Sequence, residues 1–334
     1  MKRTTIKKIV NKTFQIGFPI VLGVLILLWT YHGFDFRHIG KVLDNMNLTW
    51  MWVSLLFGVL GHVFRGWRWN LALFPIGEYP KVSNSVYAIF ISYAANLVLP
   101  RIGEVSRCGV LAKYDGVSFS KSLGTVVTER LIDSVCVLLI TGFTVLLQSN
   151  VFARFFKVTG TDSAFFCQLF TSTNFYITLS CIVAIMVLGI LLIRKLAIFT
   201  KVRSILQNVW KGCLSIRKMH HPWLYIIYTI AIWGCYFLHF YLTLYCFDFS
   251  ANMGWMAGLV LFVVGSIAVV VPTPNGAGSW HFAIITMMMM YGVGKGDAGV
   301  FALIVHAIQT FLLVLLGIYG LVALPLTNKI KINK

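Results

Sequence analysis

Residues 96–107, Asn96-Leu97-Val98-Leu99-Pro100-Arg101-Ile102-Gly103-Glu104-Val105-Ser106-Arg107, join an uncharged run to a charged one across a proline. Upstream, residues 82–100 carry no acidic or basic side chain. Downstream, the arm 101–114 holds Arg101, Glu104, Arg107 and Lys113. As a helix that arm is ~20 Å long at 1.5 Å per residue, too short and too polar to cross a bilayer core of ~30 Å alone. The two arms therefore read as a helical hairpin that enters from the cytoplasm and turns back near Pro100.

Working outward, the same logic extends over the chain. Of 334 residues, 58% are hydrophobic and 11% charged, against a charged share of roughly 25% in soluble domains. Lipid is the economical cover for that much apolar surface, since a spanning helix needs about 20 apolar residues. Full crossings are expected at 14–31, 47–64, 125–148, 175–193, 223–247 and 299–324. The run 14–31 follows Lys2, Arg3, Lys7, Lys8 and Lys12. It is longer than a signal-peptide core and lacks a small-residue cleavage site, so it reads as a retained helix. Residues 35–44 read as interfacial, and 194–221 as a basic amphipathic helix on the inner surface.

The formal charge of +18 is not a nucleic-acid signature, because Lys and Arg cluster in short stretches between apolar runs. Cytoplasmic segments of this arrangement hold 22 of the 28 Lys and Arg residues, as the positive-inside rule requires. Both termini are thus expected in the cytoplasm of a bacterial-type inner membrane. The seven Cys residues show no CxxC and read as small hydrophobes. No metal site and no cofactor are expected.

A second break lies in the run 249–294, whose only acidic or basic side chain is His281. Pro272-Thr273-Pro274-Asn275-Gly276-Ala277-Gly278 interrupts it, and the arm 279–294 is ~24 Å long, again below a core thickness. This reads as a re-entrant hairpin entering from outside. Each half then has the order span, span, broken hairpin, span, with opposite orientation. The expected fold class is an all-α polytopic membrane protein of six crossings and two re-entrant hairpins. It forms one membrane domain, 1–334, with inverted repeats at about 14–150 and 174–324. Paired interrupted segments in corresponding positions point to a midplane transport site.

Ionisable residues within membrane helices are costly, at ~2.5–3.5 kcal/mol or more each, and single out candidates. Arg101, Glu104 and Arg107 recur at i, i+3 and i+6, and Glu129 and Asp133 at i, i+4 beside Arg130. One reading is a polar cavity in which Arg101, Arg107 and Arg130 hold a phosphate, because a planar guanidinium meets phosphate oxygens bidentately. The other is mutual neutralisation, with Glu104 paired to Arg130 and Asp133 to Arg107. Arg65 and Arg68, within Arg65-Gly66-Trp67-Arg68-Trp69, read as headgroup anchors at the interface. Asn275, Gly276, Gly278 and His281 at the second break line a substrate path or simply pack.

Three motifs carry a family resemblance: Asn96-x-x-Leu99-Pro100-Arg101-x-Gly103-Glu104-x-x-Arg107, Glu129-Arg130-Leu131-x-Asp133, and Pro274-Asn275-Gly276-Ala277-Gly278. In that order they resemble the flippase-like membrane domain of lysylphosphatidylglycerol synthases, over nearly the whole chain. The resemblance implies a lipid flippase-like transporter, without enzymatic activity, for a phospholipid or polyprenyl-phosphate-linked lipid. Its partners are membrane lipids with anionic or phosphate-bearing headgroups. Many members have Pro-Gly-Gly-x-Gly and then Glu three residues on. Here Asn275 and His281 stand at the second and last of those positions. No soluble aminoacyl-transferase segment follows the last crossing, so lysyl transfer is not expected. The rival readings are a membrane-embedded transferase, with Glu104, Glu129 or Asp133 as base, and a scaffold or small-solute carrier.

Overall fold

A computed structural model describes residues 17–35, 37–99, 101–158, 176, 180 and 221–328. Pro100, the basic termini, most of the expected crossing at 175–193 and the basic segment 194–220 lie outside the described residues. Among the described residues every regular element is a helix: α1 (Gly17–Thr30), α2 (Arg37–Asp44), α3 (Leu48–Leu73), α4 (Val82–Val98), α5 (Ile102–Asp115), α6 (Phe119–Leu147), α7 (Ser149–Val158), α8 (Pro222–Tyr241), α9 (Gly254–Ala268), α10 (Ser279–Met290) and α11 (Lys295–Thr327).

Among the described residues, four helical stretches are long and apolar enough to cross a membrane: Leu48–Ile76, Phe119–Leu147, Pro222–Cys246 and Lys295–Thr327. Helices α1, α4 and α9 are apolar but shorter. The outer face of α6 shows what surrounds them. Leu131, Val135, Leu138, Leu139 and Leu146 are all exposed, Leu146 to 82%. Such a stripe is stable against hydrocarbon and not against water.

Local chemistry fixes the helix ends. Asn47 caps α3, its side chain accepting from the Thr49 N–H at 3.1 Å. Pro75 and Gly77 close the far end through a 3₁₀ turn, Phe74–Ile76. Pro222 opens α8 at its first position, where a missing N–H costs nothing. The second crossing was expected to end near residue 64, with 65–70 at the interface. Instead α3 runs unbroken to Leu73, which carries Arg65 and Arg68 into the bundle.

Both helix pairs that flank a break double back. Helices α4 and α5 pack along their length, and the Asn84 amide donates to Asp115 Oδ2 at 2.9 Å, so the pair returns to the end it left. Helices α9 and α10 do the same around residues 269–278. The two tips approach each other, since α4 touches the Pro274–Gly276 turn. Two apolar cores result. One surrounds Trp69, Ile89 and Leu111. The other surrounds Val260, Ile284, Met287 and Phe301.

The connecting segments gather at two ends. At one, Lys121 pairs with Glu78 at 3.0 Å, and Asn328 accepts from Lys81 Nζ at 2.9 Å and exchanges amide hydrogen bonds with Asn84. At the other, the Asn47 N–H donates to Cys246 O at 2.9 Å and the Tyr31 hydroxyl to Gly299 O at 3.0 Å.

Candidate functional site

Three helices project charge into one buried cluster. Helix α3 supplies Arg65 and Arg68, α5 supplies Glu104 and Arg107, and α6 supplies Glu129, Arg130 and Asp133. Within α3 and α5 the spacing is i, i+3, and on α6 the acids stand at i, i+4, so each set faces one side.

The ion pairs form a continuous chain. Arg107 Nη1 donates to Glu129 Oε2 at 2.8 Å, and the other Glu129 oxygen accepts from Arg68 Nε at 3.2 Å. Arg68 Nη2 reaches Asp133 Oδ1 at 2.8 Å, and Asp133 Oδ2 also pairs with Arg65. Glu104 lies 3.0 Å from Arg107 Nη2 and 3.3 Å from Arg130 Nε, distances that bring the charges together without hydrogen-bond alignment. Arg130 Nη2 stands 3.6 Å from Asp133. Burial is graded along this chain. Arg68 and Glu129 are fully buried and Arg107 is 1% exposed, whereas the Arg130 side chain is 39% exposed.

Aromatic groups complete the shell. The Trp69 ring lies 4.6 Å from the Arg107 guanidinium, and its indole N–H donates to Thr125 at 3.0 Å. Tyr225 flanks Arg68, and Arg65 donates to the Tyr93 and Tyr236 hydroxyls. A cation removed from water is held by just such carboxylates, hydroxyls and ring faces.

The hairpin can deliver Glu104 and Arg107 only because Gly103 lets α4 come close. A Cβ there would stand 2.0 Å from Ser92 O. Asn96 braces the same turn, its Oδ1 accepting from the Gly103 N–H at 2.8 Å. Asn96 and Gly103 are therefore parts of the turn. Arg101 sits at the tip in a left-handed conformation, φ 68°, with its side chain exposed.

A cavity of about 740 Å³ opens beside the cluster. Arg65, Arg130 and Asp133 form its charged wall, and Trp233, Tyr236, Phe240, Phe262, Trp280 and Gln309 line its interior. Leu138 on α6 and Val270 at the second break flank it, exposed to 70% and 69%. The cavity thus runs from a charged wall to an apolar gap between α6 and the second break.

Several expectations are corrected by this geometry. Arg65 and Arg68 are 3% and 0% exposed and ion-paired, so neither guanidinium is placed to anchor at a headgroup layer. Asp133 pairs with Arg65, Arg68 and Arg130; Arg107 is held by Glu129 and Glu104 instead. The Glu104–Arg130 contact of the neutralisation reading is present. The second break meets the cavity through Val269, Val270 and Trp280, whereas Asn275, Gly276, Gly278 and His281 organise the turn. Pro274 opens the 3₁₀ turn, and Gly276 and Gly278 take positive φ. The Asn275 amide donates to Thr310 at 2.9 Å, its carbonyl accepts from His306 Nε2 at 3.1 Å, and His281 Nδ1 accepts from the Gly278 N–H at 3.3 Å.

Sequence reasoning missed Tyr93, Tyr225, Tyr236, Trp280 and Gln309. They are uncharged and stand in apolar runs without motif spacing. Arg65 and Arg68 did carry a signal, an i, i+3 pair matching the i, i+4 acids of α6, but the assumed end of the crossing hid it.

A family model described as the lysylphosphatidylglycerol synthase TM region matches residues 16–317. Comparison with curated proteins and with solved structures gives no significant match.

Proposed function

The chain belongs to the lysylphosphatidylglycerol synthase transmembrane-region family, and on that premise we propose that it is a flippase-like transporter. It moves a phospholipid or a polyprenyl-phosphate-linked lipid across a bacterial-type cytoplasmic membrane, without catalysing a reaction. Membership and the apolar helices make it an integral membrane protein related to membrane-lipid metabolism. The step to transport rests on one observation. The 740 Å³ cavity joins the Arg65–Arg130–Asp133 wall to an apolar gap flanked by exposed Leu138 and Val270. A headgroup fits the polar end while its hydrocarbon tails remain in the bilayer. We read α4–α5 and α9–α10 as oppositely directed re-entrant hairpins in an inverted repeat, with both termini cytoplasmic. Irregular backbone at membrane depth is tolerated where protein or a cavity surrounds it, and the meeting of the two tips agrees with this reading.

A transferase would need a carboxylate free to accept a proton. Glu104, Glu129 and Asp133 each face at least two guanidinium groups, so protonating one strands a buried cation. The test is lipid translocation in vesicles reconstituted with the full chain, read with phospholipids labelled on the tail. Arg130→Ala and Glu104→Gln are expected to slow translocation at least tenfold. Translocation indifferent to both, or no translocation above protein-free vesicles, would sink the reading. A new lipid product formed on incubation with a donor would favour the transferase.

A further inference from the structure

The buried network does not balance. Four guanidinium groups, from Arg65, Arg68, Arg107 and Arg130, face three carboxylates, from Glu104, Glu129 and Asp133. One positive charge is left over, and among the described residues no other carboxylate pairs with the network. Of the ten acidic residues, Glu78 pairs with Lys121 and Asp115 is held by Asn84. Asp44 and Asp248 belong to the end where α3 begins, about 26 Å along that helix from Arg65 at 1.5 Å per residue. Asp35 and Asp297 accompany them, because Phe34 packs on Gly299. Asp162 lies outside the described residues, and residues 175–220 contain no acid at all. Arg101, on the hairpin tip, has the same sign as the surplus.

The surplus also has a direction. Arg107 Nε and Nη2, Arg65 Nε and Arg130 Nε are buried without a hydrogen-bond acceptor, against a single unpartnered carboxylate oxygen in the network, Glu104 Oε2, so unpaired donors outnumber unpaired acceptors. Of the four arginines, only Arg65 and Arg130 line the cavity, and Arg130 is the one with an accessible side chain. It stands about 17 Å along α6 from Phe119, well inside a span. An uncompensated cation at that depth is costly, and no described acid completes it, which leaves the place open to a charge from outside the chain.

We infer that the cavity selects lipids whose headgroup carries a net negative charge at a phosphate, and discriminates against headgroups made net positive by an added aminoacyl group. The phosphate meets the planar guanidinium of Arg130, with Arg65 behind it. A second ammonium brought into the same cavity meets a wall that is already positive, with Asp133 saturated by three arginines. The inference rests on the cavity being a lipid site, as in the transport reading, but it concerns binding and is tested without transport.

The full chain in detergent is titrated with phosphatidylglycerol, lysylphosphatidylglycerol and inorganic phosphate, each competing against a tail-labelled phosphatidylglycerol. Phosphatidylglycerol is expected to compete at least tenfold more strongly than lysylphosphatidylglycerol, and inorganic phosphate at least a hundredfold more weakly. Arg130→Gln is expected to lower phosphatidylglycerol affinity at least tenfold and to bring the two lipids within twofold of each other. Arg130→Lys, which keeps the charge, restores the preference. Lysylphosphatidylglycerol binding as tightly as phosphatidylglycerol overturns the proposal, and so does a preference unchanged in Arg130→Gln. Inorganic phosphate competing as well as the lipid overturns the lipid assignment and leaves a simple anion site. If Arg130→Gln fails to fold, the wild-type comparison of the two lipids decides alone. Selective binding without translocation would remove the transport reading and leave this one standing, whereas translocation without selectivity would do the reverse.

Discussion

Glu129 is the keystone of the charged cluster, because each of its oxygens accepts from an arginine on a different helix. Removing one partner of a buried pair leaves an uncompensated charge and typically costs about 3–5 kcal/mol. Glu129→Gln, which keeps the shape and loses the charge, is expected to destabilise the fold by about that amount. Thermal denaturation in detergent reads this, and a melting midpoint within a degree of wild type would contradict it. Gly103 is constrained by space rather than charge. A methyl group there would overlap the Ser92 carbonyl at 2.0 Å, and backbone cannot move aside as a flexible side chain can. Gly103→Ala is therefore expected to open the α4–α5 turn, pull Glu104 and Arg107 from the cluster, and lower the yield of folded protein more than Gly109→Ala. Gly109, on the same helix, has open space around it.

At the scale of elements, the α4–α5 hairpin is held against the rest by α11. Gly317 marks a close approach of the two helices: a Cβ there would stand 2.3 Å from Ala94 Cβ. Membrane helices pack through such small residues because hydrocarbon gives no hydrophobic drive between them, so contact area decides. Gly317→Ala should lower the melting midpoint by several degrees, and the double variant Gly317→Ala with Ala94→Gly should recover most of the loss. A double variant no more stable than the single one would show that this contact does not set the packing. The asparagine cluster of Asn84 and Asn328 fastens the same helices at their ends. The hairpin is thus pinned at its base and at mid-helix, and its charged tip is presented from a rigid support.

For the whole molecule, the cavity is lined by α3, α6, α8, α9 and α11, with Leu138 of α6 and Val270 beyond α9 on its apolar side. The proposed transport requires the gap beside Leu138 and Val270 to remain open to lipid tails. Val270→Trp fills that gap without touching an ion pair, so translocation should fall at least fivefold while the melting midpoint stays near wild type. Full translocation in a stably folded Val270→Trp protein would place the lipid path elsewhere. The surplus positive charge belongs to this scale too, since it emerges only when arginines and carboxylates from three helices are counted together.

The sequence by itself determined the helical membrane character, both breaks and the candidates Glu104, Arg107, Glu129, Arg130 and Asp133. Uncharged runs, prolines and buried ionisable residues are one-dimensional signals with large energies behind them. Pairing was beyond it. One reading of the sequence paired Asp133 with Arg107, and only the packing of α3 against α6 gave it to Arg65 and Arg68. Arg65 and Arg68 themselves look interfacial in sequence, because an aromatic–arginine run reads the same at a headgroup layer and inside a bundle. Tertiary structure decided between the two, since burial of a guanidinium depends on which helix brings its carboxylate. It likewise decided that the turn carrying Asn275 and His281 braces the fold while Val270 and Trp280 face the cavity. The hairpin that opened at Asn96–Arg107 was legible as a break, and the use of its charges was settled by the helices that close around it.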